Sequence, residues 1–166
     1  MNFLAHIYLS GNNDFVKIGG LMADGIRGKE YENFPKDIQR GIILHRAIDT
    51  FTDSHSVFRV SKHRLHEQYG HYSGVIIDVF YDHFLAKNWS TYSCEKLSDF
   101  VNRFYKSLDD NFEILTLKTQ NMLPYMKQGN WLYNYQFVDE IERVLFQMDK
   151  RTKHDSNMGA SVKELK

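Results

Sequence analysis

Apolar residues recur along most of the chain at intervals of three and four rather than two, a spacing that predicts helices throughout. Two prolines and ten glycines leave long stretches without a breaker. A first helix is predicted from Asn2 to Leu9, ended by the polar turn Ser10 to Asp14. A second runs from Phe15 to Ile26, with Gly28 suited to its C-cap. Pro35 suits a first helical position, so a third helix should continue from there through Phe51 and stop around Thr52-Asp53-Ser54. A fourth covers Val57 to Gln68, and His71 to Trp89 read as one long helix after the Tyr69-Gly70 break. Ser90 to Ser93 offers cap chemistry for the next, whose apolar face is Phe100, Val101, Phe104 and Leu108. The pattern is irregular around Pro124 and clean again at Phe137, Ile141, Val144, Leu145 and Met148. The expected fold is an all-α, single-domain helical bundle over residues 1–149, followed by a loose polar tail, 150–166.

Polar residues interrupt these faces in a way that ordinary amphipathicity does not require. Positions four apart lie on nearly one line of a helix, so His45, Asp49 and Asp53 form a ridge that continues Ile38 and Ile42. Ile43, Leu44, Ala47, Ile48 and Phe51 occupy the other side. Asp78 and Asp82 share a second line, while Ile76, Ile77, Phe80 and Phe84 are expected to face the core. Semi-buried carboxylates need a counter-charge, a proton or a metal. Imidazole and carboxylate at one-turn spacing on two helices suit a divalent ion such as Mn²⁺, Mg²⁺ or Fe²⁺, and the absence of thiolates argues against structural zinc. Water on such an ion is acidified and can attack phosphorus.

A lone His/Asp pair at this spacing is more often a surface hydrogen bond. Two pairs on otherwise apolar helices, with Asp24, Asp53 and His6 available to join them, favour a functional cluster. His83 lies about 100° around the helix from Asp82 and reads as a core histidine, with only a secondary claim on the site. His55 stands between the two readings, and His63, His66, His71 and His154 read as surface or structural. Arg27, near Asp24, and Arg46, beside His45, are candidate phosphate clamps, since guanidinium matches phosphate oxygens; a surface salt bridge is the alternative for each.

Composition narrows the setting. The 166 residues suit one domain, 42% apolar content with 12 Phe and 10 Tyr supplies a core, and 25% charged content suits a solvated surface. Lys plus Arg equals Asp plus Glu at 21 each, so no bulk field points to nucleic acid or an anionic membrane as partner. Cys94 alone permits no internal disulfide. The N-terminus lacks a basic region, and no apolar run approaches the roughly 18 residues of a membrane span, so a cytoplasmic location is expected.

The motifs Met1-Asn2-Phe3-Leu4-Ala5-His6, Gly20-Leu21-Met22-Ala23-Asp24 to Arg27-Gly28, Gly41 to His45-Arg46-Ala47-Ile48-Asp49, Phe51-Thr52-Asp53-Ser54-His55 and Asp78-Val79-Phe80-Tyr81-Asp82-His83 to Trp89 together resemble the acyl carrier protein phosphodiesterase family, which is similar to HD-domain phosphohydrolases. The resemblance implies an HD-like helical fold and a Mn²⁺-favouring hydrolase that removes the 4′-phosphopantetheine arm from holo acyl carrier protein. It implies that Asp24 is the essential acid and that His6, His45, Asp49, Asp53, Asp78 and Asp82 fall on metal and active-site positions. An acidic carrier protein would be met by Lys29, Lys36, Arg40, Arg59, Lys62 and Arg64. Family members continue past a segment like 156–160 with another amphipathic helix, whereas this sequence ends at Lys166. Two rival functions are another small phosphoester or nucleotide as substrate, and a non-catalytic helical interaction module.

Overall fold

The computed structural model describes residues 2–152 and 156–165. Among them are ten α-helices and no strand: α1 Phe3–Leu9, α2 Asp14–Met22, α3 Lys36–Ser54, α4 Ser56–Tyr69, α5 Ser73–Lys87, α6 Trp89–Tyr92, α7 Leu97–Asp110, α8 Leu117–Gln128, α9 Trp131–Asn134 and α10 Val138–Asp149. The all-α expectation holds. None of these helices is long and apolar enough to cross a membrane.

Local chemistry explains most boundaries. Asn13 starts α2 by accepting the amides of Phe15 and Val16 through its side chain, and Thr116 accepts the amide of Thr119 at the start of α8. The second predicted helix ends earlier than expected: α2 stops at Met22 and tightens into a 3₁₀ turn over Ala23–Gly25. Gly28 therefore caps no helix; its positive φ of 48° serves the following loop. The single helix expected from His71 to Trp89 is three pieces, a 3₁₀ turn Gly70–Tyr72, then α5, then α6. Ser90 to Ser93 accordingly lies in and just after α6, and α7 begins at Leu97 without a side-chain cap. Pro124 is held inside α8.

The packing centres on α1, α2, α3 and α5. α1 lies against α2 and α5, α4 joins α3 to α5, and α10 closes on α5. The α2/α3 pairing is the most extensive of all, because two glycines meet there. A Cβ on Gly41 would stand 2.1 Å from the carbonyl oxygen of Val16 and 3.0 Å from the Gly19 Cα. One on Gly19 would stand 2.2 Å from the Ile38 oxygen. Only hydrogen fits between these backbones, and the resulting approach brings the C-terminal end of α2 onto the His45 side of α3.

Burial agrees with the expected ridge on α3 and corrects one expected face on α5. On α3 the buried side is the ridge itself, Ile38, Gly41, Ile42 and His45, whereas Ile43 and Phe51 are exposed. On α5, Ile76, Ile77 and Phe80 are buried as expected, but Phe84 is exposed. The region expected to be a loose tail also contains order: Met158–Leu165 forms 3₁₀ helix against α10, burying Met158, Ser161 and Val162. Short apolar residues in a mostly polar stretch supply too little periodic signal to announce this docking.

Candidate metal centre

His6 on α1 and His45 on α3 are both buried, and their rings stack at a centroid distance of 3.6 Å with 15° between planes. Asp49, one turn after His45, reaches both: Oδ1 is 3.0 Å from His6 Nε2 and Oδ2 is 3.2 Å from His45 Nε2. Asp24, carried over α3 by the 3₁₀ turn after α2, places Oδ1 3.1 Å from the same His45 nitrogen. Potential ligand atoms of His6, His45 and Asp49 all lie within 4.8 Å of one another.

The tautomer of His45 follows from its other nitrogen. Nδ1 is 2.8 Å from the carbonyl oxygen of Gly20, which can only accept, so Nδ1 carries the hydrogen. A neutral His45 would then aim its Nε2 lone pair at two carboxylates. A proton or a cation must occupy that direction. In the metal-free protein it is a proton: burial alone would lower the His45 pKa, but the hydrogen bonds and charges of Asp24 and Asp49 outweigh it and raise it to about 9. Asp49 shows the converse, with burial opposed and outweighed by His45 and His6, so its carboxyl is held well below the usual range. The His45 hydrogen bond likewise lowers Asp24, against its partial burial.

His6 is the part that a proton network leaves incomplete. Its Nε2 is close to Asp49, yet neither ring nitrogen has an aligned hydrogen-bond partner among the described residues. A buried imidazole without an aligned hydrogen bond is costly, even beside a carboxylate. Two imidazole nitrogens and carboxylate oxygens converging on one point, with one ring oriented by a backbone carbonyl, form a donor set that fits a borderline or hard divalent cation. The cluster opens into a cavity of about 170 Å³ lined by Asn2, Asp24, His45, Asp49, Thr52, Asp53 and Asp78. Asp53 thus joins the ridge, because α3 continues to Ser54. Burial pushes the Asp78 pKa up.

Other candidates are placed elsewhere. Asp82 is fully buried and accepts the amides of Leu4 and Ala5 at 2.9 and 2.8 Å, so its two oxygens are engaged at the start of α1 instead of facing the cluster. Burial pushes its pKa up to about 7, with those two hydrogen bonds pulling the other way. Asp82 sets the position of His6, two residues along, without meeting His45 or Asp49. His83 is a core histidine, its Nδ1 2.8 Å from the Tyr135 carbonyl oxygen. His55 caps α4 by accepting the Val57 amide. Arg46 donates to the carbonyls of Gly28 and Ile26 and covers the Tyr31 ring, so its fork binds the loop that follows Asp24. Arg27 is exposed and does not line this cavity. His63, His66 and His71 are exposed, while His154 lies outside the described residues.

The sequence pattern did not single out Asn2, Thr52 or Lys118. Nothing in their spacing marks them; only the fold brings Asn2 and Thr52 to the cavity wall and Lys118 against Gly25. The paired glycines in apolar helical surroundings are the one signal that could have announced how Asp24 meets His45.

The sequence profile of the family described as acyl carrier protein phosphodiesterase matches residues 1–166. Similar proteins bearing that name include one from Photorhabdus laumondii, 30% identical over 99% of this chain and 84% of its own length. One from Enterobacter sp. (strain 638) is 32% identical over 91% of this chain and 79% of its own. A third, from Pectobacterium atrosepticum, is 28% identical over 99% and 86%. No solved structure matches.

Proposed function

The chain belongs to the acyl carrier protein phosphodiesterase family, and from that premise we propose that it is a metal-dependent hydrolase that releases 4′-phosphopantetheine from holo acyl carrier protein. The observation that carries the metal-dependent reading is the His6–Asp49–His45 cluster, in which Asp49 lies between a buried His6, whose ring nitrogens make no aligned hydrogen bond among the described residues, and a His45 oriented by a backbone carbonyl. His6, His45 and Asp49 would hold the ion, with Asp24 beside them; the ligands suit Mn²⁺, Mg²⁺ or Fe²⁺, and the family resemblance implies Mn²⁺ among these. When bound, the ion supplies Lewis-acid stabilisation of phosphoryl charge and an acidified water.

The protein's own groups then have distinct tasks. Gly20 orients the His45 ring through its carbonyl, and Asp82 fixes α1 so that His6 meets Asp49. Asp78, whose burial favours its protonated form, faces the same cavity and is suited to protonate the departing serine oxygen. Lys29, Lys36, Arg40, Arg59, Lys62 and Arg64 are exposed and available to an acidic carrier protein, with Arg40 engaged by Asp37. A cytoplasmic location suits this substrate.

The test is a mass measurement on holo carrier protein incubated with chelator-stripped enzyme. Loss of the arm on adding Mn²⁺, and none without metal, supports the proposal. An intact arm in both conditions refutes it, and cleavage of other phosphodiesters in the same preparation would shift the assignment to a different phosphoester.

A further inference from the structure

A second, larger cavity of about 810 Å³ begins at Asp24, the residue it shares with the small cavity above the cluster. It runs beside α8, from Lys118 and Thr119 near Gly25 to Gln128 and Gly129 at the far end. Its floor is apolar, with Leu21, Met22, Met122 and Trp131. Its rim carries three primary amides, Asn121, Gln128 and Gln147. Apart from Asp24, none of these groove residues is used by the reaction chemistry proposed above.

We infer that this groove seats the pantetheine arm of the substrate, with the phosphate at the Asp24 end and the thiol toward Trp131. The inference rests on the phosphodiesterase reading and extends it to the substrate's length and polarity. From Lys118 to Gln128 a helix rises about 15 Å. The arm has about twelve skeletal bonds from ester oxygen to sulfur, four peptide residues' worth, and so reaches about 14 Å when extended. It alternates apolar segments with two amides and a hydroxyl. An apolar floor with amide side chains at the rim matches that alternation, since each amide of the arm needs a partner once water is excluded. Arg143 and Arg151 also line the groove, and Lys118, exposed and beside Gly25, places a cation at the phosphate end of this path. That charge stands where neither Arg27 nor Arg46 reaches.

Titrating pantetheine, which lacks the phosphate, into the full-length protein tests the assignment by backbone amide chemical shifts. Saturable binding is expected, with shifts confined to residues 21–25, 118–131 and 143–151. Asn121→Trp and Gln128→Trp, both at exposed positions, should each weaken that binding at least tenfold by filling the groove. They should raise KM for holo carrier protein to a similar degree while kcat changes less than threefold. Absence of binding, shifts mapping elsewhere, or wild-type affinity in both variants overturns the inference. If wild-type enzyme leaves holo carrier protein intact, the phosphodiesterase reading falls separately, and the pantetheine titration still decides what the groove binds.

Discussion

Replacing Gly41 by Ala probes the contact on which the whole site depends. Intrinsic helix propensity favours the substitution by about 1 kcal/mol in a helix interior. The structure predicts the opposite sign. The new methyl would lie 2.1 Å from the Val16 oxygen, more than an ångström short of the 3.4 Å at which ordinary contact begins, and its obstacle is backbone that cannot swing aside. Overpacking of this kind costs typically about 1–3 kcal/mol, occasionally more. Taking about 3 kcal/mol, the upper end for an obstacle of backbone, and setting the propensity gain against it leaves a net destabilisation of about 2 kcal/mol, which would lower Tm by roughly 4–8 °C in a domain of this size. Separation of α2 from α3 would also stretch the 2.8 Å link between Gly20 and His45, and lost outer-shell orientation typically weakens metal binding about 10–100-fold. Thermal unfolding and Mn²⁺ titration read both effects. Gly74→Ala is the control, because its methyl would meet only the flexible Lys62 side chain at 3.7 Å; it should be neutral or slightly stabilising. A Gly41→Ala protein with wild-type Tm and Mn²⁺ affinity would refute the argument that glycine is required at this crossing.

Asp82→Ala should cost about 1–3 kcal/mol, since it leaves the buried Leu4 amide and the half-buried Ala5 amide at the start of α1 without an acceptor; urea denaturation measures it, and a loss below about 0.5 kcal/mol would contradict the role assigned to Asp82 in holding α1. Asp49→Asn should abolish Mn²⁺ binding in calorimetric titration while leaving the far-UV spectrum helical, and retention of wild-type affinity would remove Asp49 from the ligand set. In the metal-free protein the protonated His45 contributes stability that is fully present below its unfolded pKa of 6.5 and is lost as pH rises through about 9. Denaturation midpoints between pH 6 and 10 should therefore fall with rising pH by more in the wild type than in His45→Gln. Over the same range Mn²⁺ affinity should rise with pH, because the ion must displace that proton.

The helical class and the His45/Asp49 pair were legible in the sequence because both depend on spacing within one helix. Asp53 was legible for the same reason. Asp78 and Asp82 illustrate the limit, since they share a line on α5, yet one faces the cavity and the other lies under the start of α1. Which of two aligned acids meets the His6–His45–Asp49 cluster depends on where another helix ends, and periodicity carries no information about that. His6 was nameable but its stacking on His45 was not, because it requires α1 and α3 to be placed together across α2 and the two 3₁₀ turns that follow it. Arg46 shows the same failure for charge: nearness to His45 along the chain did not reveal that its fork would be taken by the carbonyls of Ile26 and Gly28. The burial of the Ile38, Ile42 and His45 ridge was legible from its spacing, whereas Phe84, expected in the core, is exposed on α5.

Anomalous diffraction from crystals of the full-length protein grown with Mn²⁺ tests the central claim most directly. The account predicts one strong peak bounded by His6, His45 and Asp49, adjacent to Asp24. A map with no peak there, or with its peak at another group of residues, would contradict the assignment of this cluster as the metal centre.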